Sequence, residues 1–179
     1  DGLMQQVDNF SGFVSKMVSD ATTDGLEQEL FFGRSVWKPQ RVGLTANVIN
    51  PQTSKVHRHM IKMAGWNATV DMTDATSLNN FKLRILESFD KKTEAASTPD
   101  VLATYDSVVG KPAIQEAVVA LAEILRGDAQ DNISNEQKIL EGVREVGNAF
   151  HGLDGLVALA HQYNAVQAGA TSFDSELMG

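Results

Sequence analysis

The residues best placed to do chemistry in this sequence are cations. Residues 30–70 contain no Asp or Glu, yet hold Arg34, Lys38, Arg41, Lys55, Arg58 and Lys62, with His57 and His59 among them. That stretch carries +6, while the rest of the chain carries −14 and the total is −8. A basic block in an acidic chain is the footprint of a polyanion site, or of a basic face that docks on an acidic partner. Charge alone leaves both readings open. On a helix, Lys55, Arg58 and Lys62 gather within about 60° of one another. Such a stripe suits a phosphate backbone and equally a solvated helix face.

Other chemistries find less support. His57-Arg58-His59 suggests a metal pair, but on a helix positions i and i+2 point to different faces, and no carboxylate lies nearby in sequence. Ligand clusters with metal spacing are absent, so no metal is expected in the chain. No Cys is present, which excludes disulfides and thiolate sites. There is no Gly-x-Ser-x-Gly elbow, phosphate loop or dinucleotide fingerprint. Glu27/Glu29 and Glu141/Glu145 pair carboxylates only on polar faces, which solvated surface explains. His151 and His161 read as partly buried helix residues.

These residues need elements to hold them. Apolar content is 42%, with two Trp and eight Phe, enough for a packed core in one domain or two small ones. Residues 2–19 space Leu3, Val7, Phe10, Val14 and Met17 by three and four, the signature of an amphipathic helix. Thr22-Thr23-Asp24-Gly25 breaks it. Residues 36–49 read as extended, because Pro39 disfavours helix before it and a β-prone run follows. Asn50-Pro51 makes a turn. Residues 53–63 read as a helix with Val56, Met60 and Met63 on one face. Residues 66–72 read as a short strand, and 77–90 as a helix carrying Leu78, Phe81, Ile85 and Phe89. Lys91 and Lys92 at its end suit the helix dipole.

The second half is helical with clear punctuation. Thr98 is expected to cap a helix with Pro99 behind it, and Gly110 to close it. Pro112 opens the next helix, with Ile114, Ala117, Val118, Leu121, Ile124 and Leu125 as its buried face. Residues 127–131 form a loop. Ser134 and Gln137 make a capping-box pattern ahead of Ile139, Leu140, Val143 and Val146. Asn148 is expected to cap the last helix, where Phe150, Leu153, Val157, Ala160 and Tyr163 share a face. Gly142, Gly152 and Gly155 either permit close helix contacts or mark shorter helices. Residues 171–178 read as the start of a strand. No apolar run approaches ~18 residues, so no membrane span is expected. The first residues carry no signal-peptide pattern, and both ends are expected to be internal cuts.

Three stretches, in order, resemble the single-subunit RNA polymerases of phages and mitochondria, above all the virion-packaged polymerases of schitoviruses. The first is Arg41-Val42-Gly43 followed by Asn50-Pro51-Gln52-Thr53-Ser54-Lys55. The second is Gly110-Lys111-Pro112-Ala113-Ile114. The third runs through residues 148–163 to Ser172-Phe173-Asp174-Ser175-Glu176-Leu177-Met178. The likeness spans residues 30–179.

The resemblance implies an α+β, mostly helical fold: a partial polymerase palm with a helical insertion over 30–179, preceded by an N-terminal helical segment over 1–29. It implies a fragment of a DNA-dependent RNA polymerase that holds DNA template and RNA–DNA hybrid beside the nucleotidyl-transfer site. Arg41 is the matching contact residue and Arg34 a substitute, with Lys38, Asn50, Lys55, Arg58 and Lys62 completing the nucleic-acid set. Relatives carry a second Arg where this chain has Leu44, which puts that contact in doubt. Catalysis in the family uses two Mg²⁺ ions held by two Asp carboxylates. The first of these is expected beyond Gly179, with Asp174 an imperfect stand-in. The chain alone is therefore expected to hold no catalytic residue and to be inactive. The remainder of the polymerase is its expected partner, and the virion or host cytoplasm its place. The rival reading is a non-enzymatic phage or bacterial module that binds a protein through residues 30–62.

Overall fold

The computed structural model describes residues 2–20, 33–37, 41–45, 50, 57, 67–91, 93, 97–128 and 133–178. The chain divides into two compact units, Asp1–Ala64 and Gly65–Gly179.

The first unit opens with α1, Gly2–Asp20. Gln6, Val7, Phe10 and Phe13 form its half-buried row, at the spacing of one helix face. Val14, on the expected stripe, is 39% exposed. Two strands follow, β1 (Arg34–Trp37) and β2 (Arg41–Leu44). They pair antiparallel, with Arg34 opposite Leu44 and Trp37 opposite Arg41. The Thr45 N–H extends the ladder by donating to the Gly33 carbonyl at 2.9 Å. The single extended run expected over 36–49 is thus corrected to a pair of strands that begins at Arg34. The helix expected over 53–63 lies outside the described residues except at His57, which is helical.

The second unit is a helical bundle against a two-stranded sheet. Strand β3 (Ala68–Asp71) pairs antiparallel with β4 (Ser172–Ser175), with Val70 opposite Phe173. Between them run α2 (Ala75–Ser88), α3 (Thr98–Val109), α4 (Pro112–Arg126), α5 (Ile133–Val146) and α6 (His151–Gln167). A 3₁₀ turn, Glu176–Met178, follows β4, so the strand expected over 171–178 ends at Ser175. The core joins Phe81, Ile85, Leu86 and Phe89 of α2 to Ile114 and Ala117 of α4 and Leu156 of α6, each at most 1% exposed. Phe81 meets Phe173 of the sheet edge to face, centroids 5.0 Å apart, the favoured geometry for an aromatic pair.

Local signals set the helix ends. Asp74 caps α2, its carboxylate accepting from the Thr76 and Ser77 N–H groups at 3.3 and 2.8 Å. Ser97, not Thr98, caps α3: its hydroxyl accepts from Asp100 N–H at 3.4 Å, and Thr98 is already helical. Gly127 closes α4 in the left-handed region at φ 76, where glycine carries no Cβ penalty. Ser134 and Gln137 lie inside α5 rather than at its threshold. The cap position of α6 is Phe150 rather than Asn148; Asn148, two residues earlier, still accepts from His151 N–H through its side-chain oxygen at 3.3 Å.

Three expected burials differ. Ile124 and Leu125 continue the buried arc of α4 but are 46% and 43% exposed. They fall on its last turn, next to its Gly127 cap. On α6 the fully covered residues are Gly152, Gly155, Leu156, Ala158, Leu159 and Ala160, so the core face is rotated from the expected one, and Leu153, Val157 and Tyr163 flank it half-buried. His151 and His161 are exposed. Two glycines mark close helix approach. A Cβ on Gly142 of α5 would collide with the Ala117 methyl of α4, and one on Gly155 of α6 would fall 2.7 Å from Cε1 of Phe89 on α2.

Candidate nucleic-acid interface

The cations concentrate in the first unit. Gly65–Gly179 has eight Lys and Arg against seventeen Asp and Glu, a balance that repels a polyanion. The interface is therefore sought on the strand pair and its neighbours.

Alternation along paired strands puts Arg34, Val36, Val42 and Leu44 on one face. Arg34 is exposed, and the cross-strand pair Val36/Val42 is 77% and 59% exposed. On the other face Gly43 is buried and Ser35 half-buried. The pair is thus covered on one side and open on the other, and the open side offers a guanidinium beside an aliphatic patch. Arg41 opens β2 opposite Trp37.

Asn50 points into the protein. It is 5% exposed, and its Nδ2 donates to the Leu44 carbonyl at 3.2 Å. That bond fastens Asn50 to the end of β2. His57 is also 5% exposed. Its ring stands edge-on to Phe10 of α1, centroids 6.0 Å apart at 87°. Lys38, Lys55, Arg58 and Lys62 lie outside the described residues. Of the expected set, then, Arg34 and Arg41 are brought to one strand pair, and Asn50 anchors its end. The exposed Val36/Val42 pair escaped sequence reading, although its signal was there in two valines at mirrored positions of a doubled strand. The Phe10–His57 contact joins residues far apart in sequence and leaves no local signal.

Three carboxylates of the second unit, Asp71, Asp174 and Glu145, have structural partners. Thr73 hydrogen-bonds to Asp71 through its hydroxyl at 2.7 Å and its N–H at 2.8 Å, and these bonds hold the carboxyl below its ordinary pKa. Asp174 accepts from the Thr69 hydroxyl at 2.7 Å across the β3–β4 pair. Lys111 Nζ lies 2.6 Å from Glu145 Oε1, and that hydrogen bond lowers the Glu145 pKa. Lys111 thereby ties the start of α4 to the last turn of α5. No group of three or more His, Asp or Glu that would hold a metal occurs among the described residues.

Residues 1–61 match the family model of a virion DNA-directed RNA polymerase domain. The match supports kinship with virion RNA polymerases. It takes in α1, the β1–β2 pair, Asn50 and His57, and so includes the Arg41-Val42-Gly43 and Asn50-Pro51-Gln52 stretch. Gly110-Lys111-Pro112-Ala113-Ile114 and residues 148–178 lie outside it. No curated protein and no solved structure matches the chain. Among the described residues no helix is long and apolar enough to cross a membrane.

Proposed function

We propose that the chain is part of a DNA-dependent RNA polymerase palm, in which the basic segment 30–62 holds the template and RNA–DNA hybrid beside the nucleotidyl-transfer site. One observation carries this reading: the polymerase-family match over 1–61 takes in five of the six cations of the carboxylate-free, +6 segment, with Lys62 next after it. The open face of the β1–β2 pair supports it with Arg34 and the flanking valines. Arg41 is the hybrid contact assigned by family position. Asn50 serves by anchoring the strand end.

His57 supports the role of the basic stripe. On the helix read over 53–63, Lys55, Arg58 and Lys62 fall about 100 to 160° from it. We take that face, away from the His57 ring that meets Phe10, as the phosphate-binding one. Phosphates are then bound by charge and by counterion release, a sequence-independent mode. Nucleotidyl transfer itself, and the Mg²⁺ it uses, belong to carboxylates elsewhere in the parent enzyme, so this chain alone is inactive.

The exposed Val36/Val42 pair favours a second reading, a protein-docking face. Binding of a primed template, followed from about 50 to 200 mM salt, separates the two. Polyanion binding gives log affinity falling linearly with log salt. Replacing Lys55, Arg58 and Lys62 together with Ala should flatten that slope by about 2 to 3. An unchanged slope removes the stripe from the interface. No binding by the unaltered chain favours the docking reading.

A further inference from the structure

Helix α5 carries two large aliphatic side chains on its outer side. Its buried residues are Asn135, Gly142 and Val146. Ile133 and Leu140 lie nearly opposite them by helical periodicity and are 74% and 55% exposed. Leu140 is also the middle of a row with Glu136 four residues before it and Arg144 four after. Both flanking charges are exposed, and neither forms an ion pair among the described residues.

Helices pack by laying such rows against each other, and two rows of spacing four meet at about −50°. A row that reads acid, aliphatic, base is complementary to itself when run in the opposite direction. In that arrangement Leu140 meets the partner's Leu140. Glu136 lies beside the partner's Arg144, and Arg144 beside the partner's Glu136. Ile133 falls over the partner's Gly147, a position where an added Cβ would meet nothing within 4 Å.

We propose that α5 is a self-association face that takes a second copy of this chain as an antiparallel helix pair centred on Leu140. The pairing goes beyond the nucleic-acid reading and uses none of its residues. Four side chains and Gly147 from each copy contribute, far fewer than the roughly 20 to 30 residues a side of a standard stable interface. The association is therefore weak and depends on concentration. A net charge of −8 per chain opposes it, so it rests on the local complementarity.

Sedimentation equilibrium over a hundred-fold concentration range tests this. The weight-average mass of the unaltered chain should climb from 19.4 kDa towards twice that value. E136R and R144E should each return it to the monomer, and the double exchange E136R/R144E should restore the climb. E136R is the sharper single change, because it lowers the net negative charge and yet must weaken association. L140E should abolish it. Each of these positions is on the outer side of α5, and circular dichroism should report an unchanged helix content. The proposal is overturned if the chain is monomeric throughout, if single reversals leave association intact, or if the double exchange stays monomeric.

Discussion

The two units of this chain divide the work of a protein between them. In Gly65–Gly179, large side chains from α2, α4 and α6 reach zero exposure, two glycines admit neighbouring helices, and the charge balance is strongly acidic. In Asp1–Ala64, seven Lys and Arg meet six Asp and Glu. Six of the seven cations fall in one carboxylate-free stretch, and the described strand pair leaves its Arg34 face open. The second unit is built from burial, and the first concentrates cations in its sequence and exposes Arg34 among its described residues. Low burial and open backbone edges are what binding segments are drawn from.

That contrast breaks first if a core change alters binding. Phe81→Ala should lower the stability of the second unit by about 3 to 5 kcal/mol in denaturant unfolding. It should leave the salt slope of template binding in place at temperatures where the chain stays folded. Gly155→Ala forces a methyl towards Phe89 and Ser88 and should cost about 1 to 3 kcal/mol by the same measurement.

Alkaline pH gives a further test of the core. Burial pushes the Tyr105 phenol up to about 12, and Lys82 Nζ stands 5.1 Å over its ring. A folded value above the ordinary 10 means that the folded state keeps the proton the unfolded state releases. The stabilisation is full below pH 10 and falls away as pH rises through 12, by an amount on the order of 2 kcal/mol. Tyr105→Phe keeps the ring under Lys82 and should remove most of that alkaline loss, as read by unfolding at pH 9 and 11.5. An equal loss in the Phe variant would contradict the assignment to Tyr105.

Smaller effects sharpen the description of the first unit. Phe10→Ala removes no charge but takes away the ring that His57 meets. It should weaken template binding several-fold, whereas His57→Phe, which preserves an aromatic pair, should restore most of it. Smallest is the Lys111–Glu145 pair, about 44% and 40% exposed at the side chains, since exposed ion pairs contribute little. The Glu145 carboxyl is held below its ordinary value, so its stabilisation is present above that ordinary value and is lost as pH falls through the lowered one. A Lys111→Met variant should lack this acid-side loss in unfolding measured from pH 6 to 3.

Much of the second unit was legible because its signals are local. Pro112 and Gly127 bracket α4, and Phe81, Ile85 and Phe89 recur on one face of α2. The strand read over 66–72 is β3. What escaped depends on neighbours. Ile124 and Leu125 have the right phase for burial and stay exposed on the last turn of α4. The capping pattern at Ser134 is outcompeted by a helix that already includes it. In the first unit, the doubling of the extended run and the inward turn of Asn50 follow from backbone pairings four to ten residues apart, which residue types alone do not specify. The basic segment was legible as charge, but its geometry at Arg34 and its aliphatic companions were not.

On this reading nucleic acid meets the first unit and not the second. Photo-crosslinking of a primed DNA template with an RNA strand to the unaltered chain, followed by peptide mapping of the adducts, tests it most directly. Adducts should fall within residues 34–62 and disappear as salt is raised. Adducts confined to 65–179, or adducts on 34–62 that persist unchanged at high salt, would contradict it.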